Sequence, residues 1–164
     1  MKLKSLLLAA LLAGAFGSAA ANDYNAPTVP LTGGPIDWSI SFGTSHQAGA
    51  FTDTYTFTYS GLPGTAAGFF GNVATSVGQI DFGTASLNAT PLNVTNLGGL
   101  SFSYYTSIPV QGLLTLVITG TSYGVASSYA GTLDVTAVPE PATYGMLLGG
   151  LALVGVVARR RKLS

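Results

Sequence analysis

The sequence has no cysteine, one histidine and one tryptophan, and only 7% of its 164 residues are charged, against roughly a quarter in an ordinary soluble domain. Without cysteine, no disulfide can staple the fold and no thiol can serve as nucleophile or metal ligand. Basic residues are missing from a long internal stretch. Lys2 and Lys4 stand at the start, Arg159, Arg160, Arg161 and Lys162 at the finish, and none lies between. The acids Asp23, Asp37, Asp53, Asp81, Asp134 and Glu140 all fall inside that stretch. A formal net charge of zero therefore conceals an acidic middle with basic ends. Such a middle repels phosphate backbones, so no nucleic-acid partner is expected. There is no phosphate-cradling glycine pattern and no zinc-ligand spacing, so no cofactor and no metal are expected either. A Ser-His-Asp triad could draw only on His46, and a hydrolytic carboxylate pair would have to include Asp53. The expectation is a protein that is not an enzyme, with no catalytic residue.

What is present is informative at both ends. Met1 to Lys4 is a basic start, Leu6 to Phe16 an apolar run, and Ala19-Ala20-Ala21 a small-residue site, which is the pattern of a secretory signal peptide over residues 1–21. Signal peptidase is then expected to cut after Ala21, leaving Asn22 as the first residue of the mature chain. At the other end, Ala142 to Ala158 carries no charge and as a helix extends roughly 25 Å at about 1.5 Å per residue. This predicts a transmembrane anchor over 142–158, including Ala142, Gly145, Gly149, Leu151, Gly155 and Ala158, at the short end of what a bilayer needs. Gly145 and Gly149 could also pack against a partner helix. Arg159 to Lys162, in the basic tail over 159–164, would stay on the cytoplasmic side and hold the rest of the chain outside. Val138-Pro139-Glu140-Pro141 lies just before the anchor. Its prolines favour extended backbone, as a segment gripped by a processing enzyme or as a stiff spacer.

Pro139-Glu140-Pro141, the Gly-rich apolar helix and the Arg-rich end, taken in that order over residues 138–164, resemble the PEP-CTERM sorting signal. The resemblance implies that the chain is a substrate of exosortase, a membrane-embedded cysteine transpeptidase-like enzyme of Gram-negative bacteria. It implies cleavage near Pro139-Glu140-Pro141 after a transient stay in the inner membrane, then delivery to the cell surface or an exopolysaccharide-rich extracellular matrix. The catalytic residues of that step belong to the exosortase.

Between the ends, residues 22–35 hold three prolines and Gly33-Gly34 and read as a flexible leader. Residues 36–137 alternate with period two, broken by Gly, Pro and Asn. Ile36, Trp38, Ile40 and Phe42 share one face; so do Phe51, Tyr55, Phe57 and Tyr59, opposite Thr52, Thr54, Thr56 and Thr58. Leu100, Phe102 and Tyr104 are expected inside, opposite Ser101 and Ser103. Gly112 to Gly120 is apolar on both faces, as in a central strand. Tyr129, Leu133 and Val135 oppose Thr132, Asp134 and Thr136. About seven or eight short strands without helical periodicity predict an all-β fold, an antiparallel β-sandwich.

Asp53 breaks the alternation, because it falls on the aromatic face between Phe51 and Tyr55. A buried carboxylate needs a partner, and no Lys or Arg is at hand. Backbone N–H and Tyr or Ser hydroxyl donors, a Ca²⁺ ion and a protonated His46 are the three possibilities. Phe51-Thr52-Asp53-Thr54-Tyr55 resembles the F-x-D-x-F motif of one PEP-CTERM subgroup. Ser128-Tyr129-Ala130-Gly131 fits the Gly-x-Tyr-x-Gly-like strand of that subgroup, with Ser127 standing where Gly is expected. The subgroup implies a fold and no activity. The single Thr row of one strand is ordinary β-propensity. Tyr24, Tyr105 and Tyr123, if exposed, suit stacking on sugar rings, which would make exopolysaccharide a partner. The expected function is a structural or adhesive surface protein. The alternative is a permanently anchored periplasmic binding or carbohydrate-active domain using Asp53 and His46.

Overall fold

The computed structural model describes residues 22–73, 78–124, 126–138 and 141–161. The signal-peptide reading with Ala19 and Ala21, and the positions of Pro139, Glu140 and Lys162, lie outside the described residues. The strands are β1 (Tyr24–Asn25), β2 (Val29–Pro30), β3 (Thr32–Gly33), β4 (Asp37–His46), β5 (Gly49–Val73), β6 (Ile80–Leu87), β7 (Thr90–Leu92), β8 (Val94–Asn96), β9 (Leu100–Ser122) and β10 (Ser127–Ala137); one helix follows, α1 (Pro141–Arg161).

The all-β expectation holds, but the architecture is a single ten-stranded sheet rather than seven or eight short strands. Two strands are long, with 25 residues in β5 and 23 in β9. They pair antiparallel from Gly49 opposite Ser122 to Val73 opposite Leu100. The register shifts after Tyr59, where Gly64 next pairs with Val110, so Ser60 to Pro63 bulge against Gln111. The glycines and proline there mark a bend inside a continuing strand rather than its end.

The first half of the β5–β9 pair carries β1 and β2, parallel, on its β5 side, and β6 then β7 on its β9 side. The second half carries β10, β4 and β3 beyond β5, and β8 beyond β9. The bent sheet brings these halves face to face. Phe42 of β4 lies 5.0 Å from Tyr55 and 6.1 Å from Phe57 between ring centroids, and Trp38 meets Tyr59 edge-on at 4.9 Å. Leu87, Leu114, Leu116, Ile118, Leu133 and Phe70 are fully enclosed in the core, each contributing about 1.5–3 kcal/mol by leaving water. β10 runs centrally, and at Gly131 a Cβ would stand 2.5 Å from Phe70 Cβ and 2.7 Å from Phe42 Cζ. Only glycine fits beneath both rings.

Alternation places most inward residues as the sequence predicts: Trp38 and Phe42, Phe51, Tyr55, Phe57 and Tyr59, and Tyr129, Leu133 and Val135 are buried. Three expectations need correction. Ile36 is 58% exposed because it precedes β4 and contributes its carbonyl to Ala137 N instead. Leu100, Phe102 and Tyr104 point outward, while Ser101, Ser103 and Tyr105 point in. The cause is a β-bulge: Ala66 pairs with Ile108 but Gly68 with Tyr105, so Thr106 and Ser107, the latter at φ 58°, oppose one residue and invert every position before them. The segment read as a leader is also part of the sheet. Leu31 N donates to Thr58 O at 3.0 Å and Thr32 pairs with Ser39, so residues 29–33 bridge β5 and β4 and close that seam.

A further correction concerns the transmembrane helix expected over 142–158. α1 contains that segment, but no helix among the described residues is long and apolar enough to cross a membrane. Gly145, Gly149, Gly150 and Gly155 dilute the apolar run and Arg159 ends it, short of the roughly 20 residues a span requires. Met146, Leu147, Leu148, Leu151, Leu153 and Val154 are all exposed.

Candidate functional site

Asp53 is completely buried, on the inward face of β5 between Phe51 and Tyr55. The strands around it bring together residues far apart in the chain. β4 ends on His46, β10 supplies Tyr129, and parallel β1 lays Tyr24 beside Asp53. Asp53 Oδ1 accepts from Tyr24 N at 3.1 Å. Its Oδ2 accepts from the Tyr129 hydroxyl and faces His46 Nε2 at 2.8 Å. The hydroxyl and backbone donors expected from the sequence are both present, and His46 stands within hydrogen-bond distance of the same carboxylate. Each carboxylate oxygen accepts from a hydrogen-bond donor, Oδ1 from Tyr24 N and Oδ2 from the Tyr129 hydroxyl, as a buried carboxylate without a Lys or Arg requires.

Proton positions follow from the acceptors. The Asn22 carbonyl, 2.9 Å from His46 Nδ1, can only accept, so Nδ1 carries a hydrogen. Tyr129 donates to Asp53 and therefore accepts from Tyr55, whose hydroxyl is 3.0 Å away. The chain runs Tyr55 to Tyr129 to Asp53, with His46 joining from the other side and ending on Asn22. Burial pushes the hydroxyls of Tyr55 and Tyr129 above the usual tyrosine range; the Asp53 contact raises Tyr129 further. His46 stacks on Phe51 at 4.0 Å, with Phe82 edge-on to Tyr129 at 5.3 Å. The cluster is walled by rings on the core side, and on the outer side by the N-terminal strand.

Asn22, the expected first residue of the mature chain, is held firmly. Its Nδ2 donates to Gln47 O at 2.6 Å and its Oδ1 accepts from Gln47 N at 3.3 Å. Asp23 Oδ1 accepts from Thr52 N at 2.7 Å. Sequence reasoning did not find Asn22 or Tyr24 as partners, because they contribute backbone atoms that carry no residue signature. Tyr129 was legible as an inward-facing residue and as part of the Ser128-Tyr129-Ala130-Gly131 strand, but not as a partner of Asp53.

The other candidate region is the chain beyond β10. Ala137 N donates to Ile36 O at 2.7 Å and Val138 N to Pro63 O at 3.0 Å, the last links of the sheet. Pro141 opens α1, and Arg159, Arg160 and Arg161 end it. Residues 139–141 follow Val138 directly in sequence. Of the tyrosines expected outside, Tyr24 and Tyr123 are exposed, but Tyr105 is buried by the inversion described above.

Residues 137–162 match the family model of the PEP-CTERM protein-sorting motif. That match implies a membrane-associated step, exosortase processing and export to the surface. It covers the tail and leaves the β domain, with its F-x-D-x-F resemblance, unassigned. No curated protein matches the chain. Among solved structures, the chain is similar to PliG of Aeromonas hydrophila, a periplasmic inhibitor of g-type lysozyme. The identity is 15%, 70% of this chain and 97% of that one are covered, and the TM-score is 0.32.

Proposed function

We propose that this chain is an exported, non-enzymatic β protein which exosortase releases near Pro139-Glu140-Pro141, and which then serves a structural or adhesive role at the cell surface or in the extracellular matrix. The observation that carries the reading is the position of the sorting motif. It begins where β10 ends, so cleavage beyond Val138 removes α1 and the basic tail without breaking a strand. The alternative, a carbohydrate-active domain using Asp53 and His46, finds less support. Asp53 is 0% and His46 3% exposed, and their polar atoms are engaged by Tyr24, Tyr129, Asn22 and each other. The cluster acts as a buried clasp that ties the N-terminal strand to β5, β4 and β10. Removing exosortase from the producing host tests the reading. Cell-bound protein with an intact tail is expected; unchanged release with the same C-terminus would overturn it.

A further inference from the structure

The bulge that turns Leu100, Phe102 and Tyr104 outward builds a surface that the alternation alone does not predict. Tyr104 sits directly opposite Phe69 and Phe102 opposite Gly71 in the β9–β5 register. Tyr104 is 62% and Phe69 49% exposed. The Phe69 and Phe102 rings lie 6.2 Å apart and only 26° from parallel. Gly71 permits this arrangement, since a Cβ there would stand 2.9 Å from Phe69 Cζ and 3.3 Å from Phe102 Cβ. The Phe69 ring lies across the glycine instead of standing away from the sheet.

Polar and small residues flank the rings along the register. On one side Thr95 of β8 pairs with Phe102. On the other, Thr132 of β10 pairs with Phe69 and Ala130 with Gly71, and beyond them Ser41 and Gly43 of β4 continue the same rows. From β8 to β4 the face is roughly 19 Å wide, at about 4.8 Å per strand step. A cleft of ≈ 190 Å³ opens beside Tyr104, with Asn93, Thr90 and Thr106 among its walls. The charged side chains on this face are Asp37 and Asp134, both carboxylates and both exposed.

We infer that this face is a binding platform for a neutral polysaccharide chain, with Phe69, Phe102 and Tyr104 as stacking residues and Thr95, Asn93 and Thr132 as hydroxyl and amide partners. The inference rests on the surface-export reading above and gives its adhesive role a site. The C–H bonds on the flat side of a sugar ring carry partial positive charge, which the negative face of an aromatic ring attracts. A sugar also offers hydroxyls at its rim, matching the polar rows at the edges of the patch. A second protein would instead favour a wholly apolar centre with paired charges around it. Residues 22–158 contain no Lys or Arg, so an anionic polymer would meet only repulsion.

The test uses the processed protein collected from its host, run in native gels containing hydroxyethyl cellulose, glucomannan or alginate. Retardation is expected in the two neutral polymers and not in alginate. Phe69→Ala with Tyr104→Ala should weaken it at least tenfold, on the order of 1.4 kcal/mol. Tyr104→Trp should keep it, and so should Tyr123→Ala, which removes an equally exposed ring outside the patch. No retardation in either neutral gel, or retardation undiminished by the double variant, overturns the inference. A dimer that the double variant converts to monomer, without glycan retardation, also overturns it and makes the patch a self-contact. Should the double variant fail to fold, Tyr104→Ala alone decides, since that side chain stands largely in solvent. Failure of the export reading shows separately, as a tail still present in the mass of the collected protein.

Discussion

His46 Nε2 lies 2.8 Å from Asp53 Oδ2, with both side chains buried. The pair is seven residues apart in sequence, one at the end of β4 and one inside β5, and only the turn between those strands brings it together. Its other partners, Tyr129 and the backbone of Asn22 and Tyr24, come from opposite ends of the domain. Asp53→Asn would leave an N–H facing donors, and removing one partner of a buried pair costs about 3 kcal/mol. Urea unfolding followed by Trp38, the only tryptophan, checks this. A variant as stable as the parent would show that the cluster is not a clasp.

Alkaline pH should weaken the fold. Burial raises Tyr55, Tyr105 and Tyr129 above the ordinary tyrosine value of 10.0. Below about pH 10 each is neutral in both states, and its contribution is fully present. Above that pH the unfolded chain releases the protons while the folded one keeps them, so stability falls as pH rises. Each tyrosine adds up to about 1.4 kcal/mol per pH unit to the slope. The urea midpoint, measured from about pH 9 to about pH 11, should hold and then drop steeply; a flat profile would contradict the burial of these hydroxyls.

A gain in stability is expected at the β6–β7 turn. Asn88 and Ala89 form a two-residue hairpin loop, at φ 48° and φ 63°, the left-handed region that this turn type demands. Asn88 suits it and also accepts from Thr115 N at 2.8 Å. Ala89 carries a Cβ penalty that glycine lacks. Ala89→Gly should raise stability by about 0.5 kcal/mol after glycine's larger unfolded-state entropy is counted, measured by the same urea titration. Destabilisation would mean the turn has another geometry.

Much of this fold was legible in the sequence, and the exceptions share causes. The Thr-flanked run Phe51 to Tyr59 and the strand from Tyr129 to Val135 showed their inward faces directly, because each, Asp53 aside, is polar on one side only. Residues 100–104 alternate just as cleanly, Leu100, Phe102 and Tyr104 against Ser101 and Ser103. The reading still pointed the wrong way, because parity there is decided by the bulge at Thr106 and Ser107, which carries no glycine or proline mark. Gly61, Pro63 and Gly64 misled in the opposite sense, since they punctuate a strand that bends and continues. At the site, Asp53 announced itself by breaking alternation and His46 by being the only histidine. The partners Asn22 and Tyr24 were invisible because a parallel pairing with β5 leaves no local pattern.

The intact mass of the mature protein, recovered from the cell surface or medium of its host, tests the central claim most directly. The account predicts a chain starting at Asn22 and ending near Pro139 to Pro141, with a domain that trypsin leaves uncut even when denatured, because it holds no Lys or Arg. A mass that still includes Arg159 to Ser164 would contradict it and leave Val138-Pro139-Glu140-Pro141 as a spacer to a retained helix.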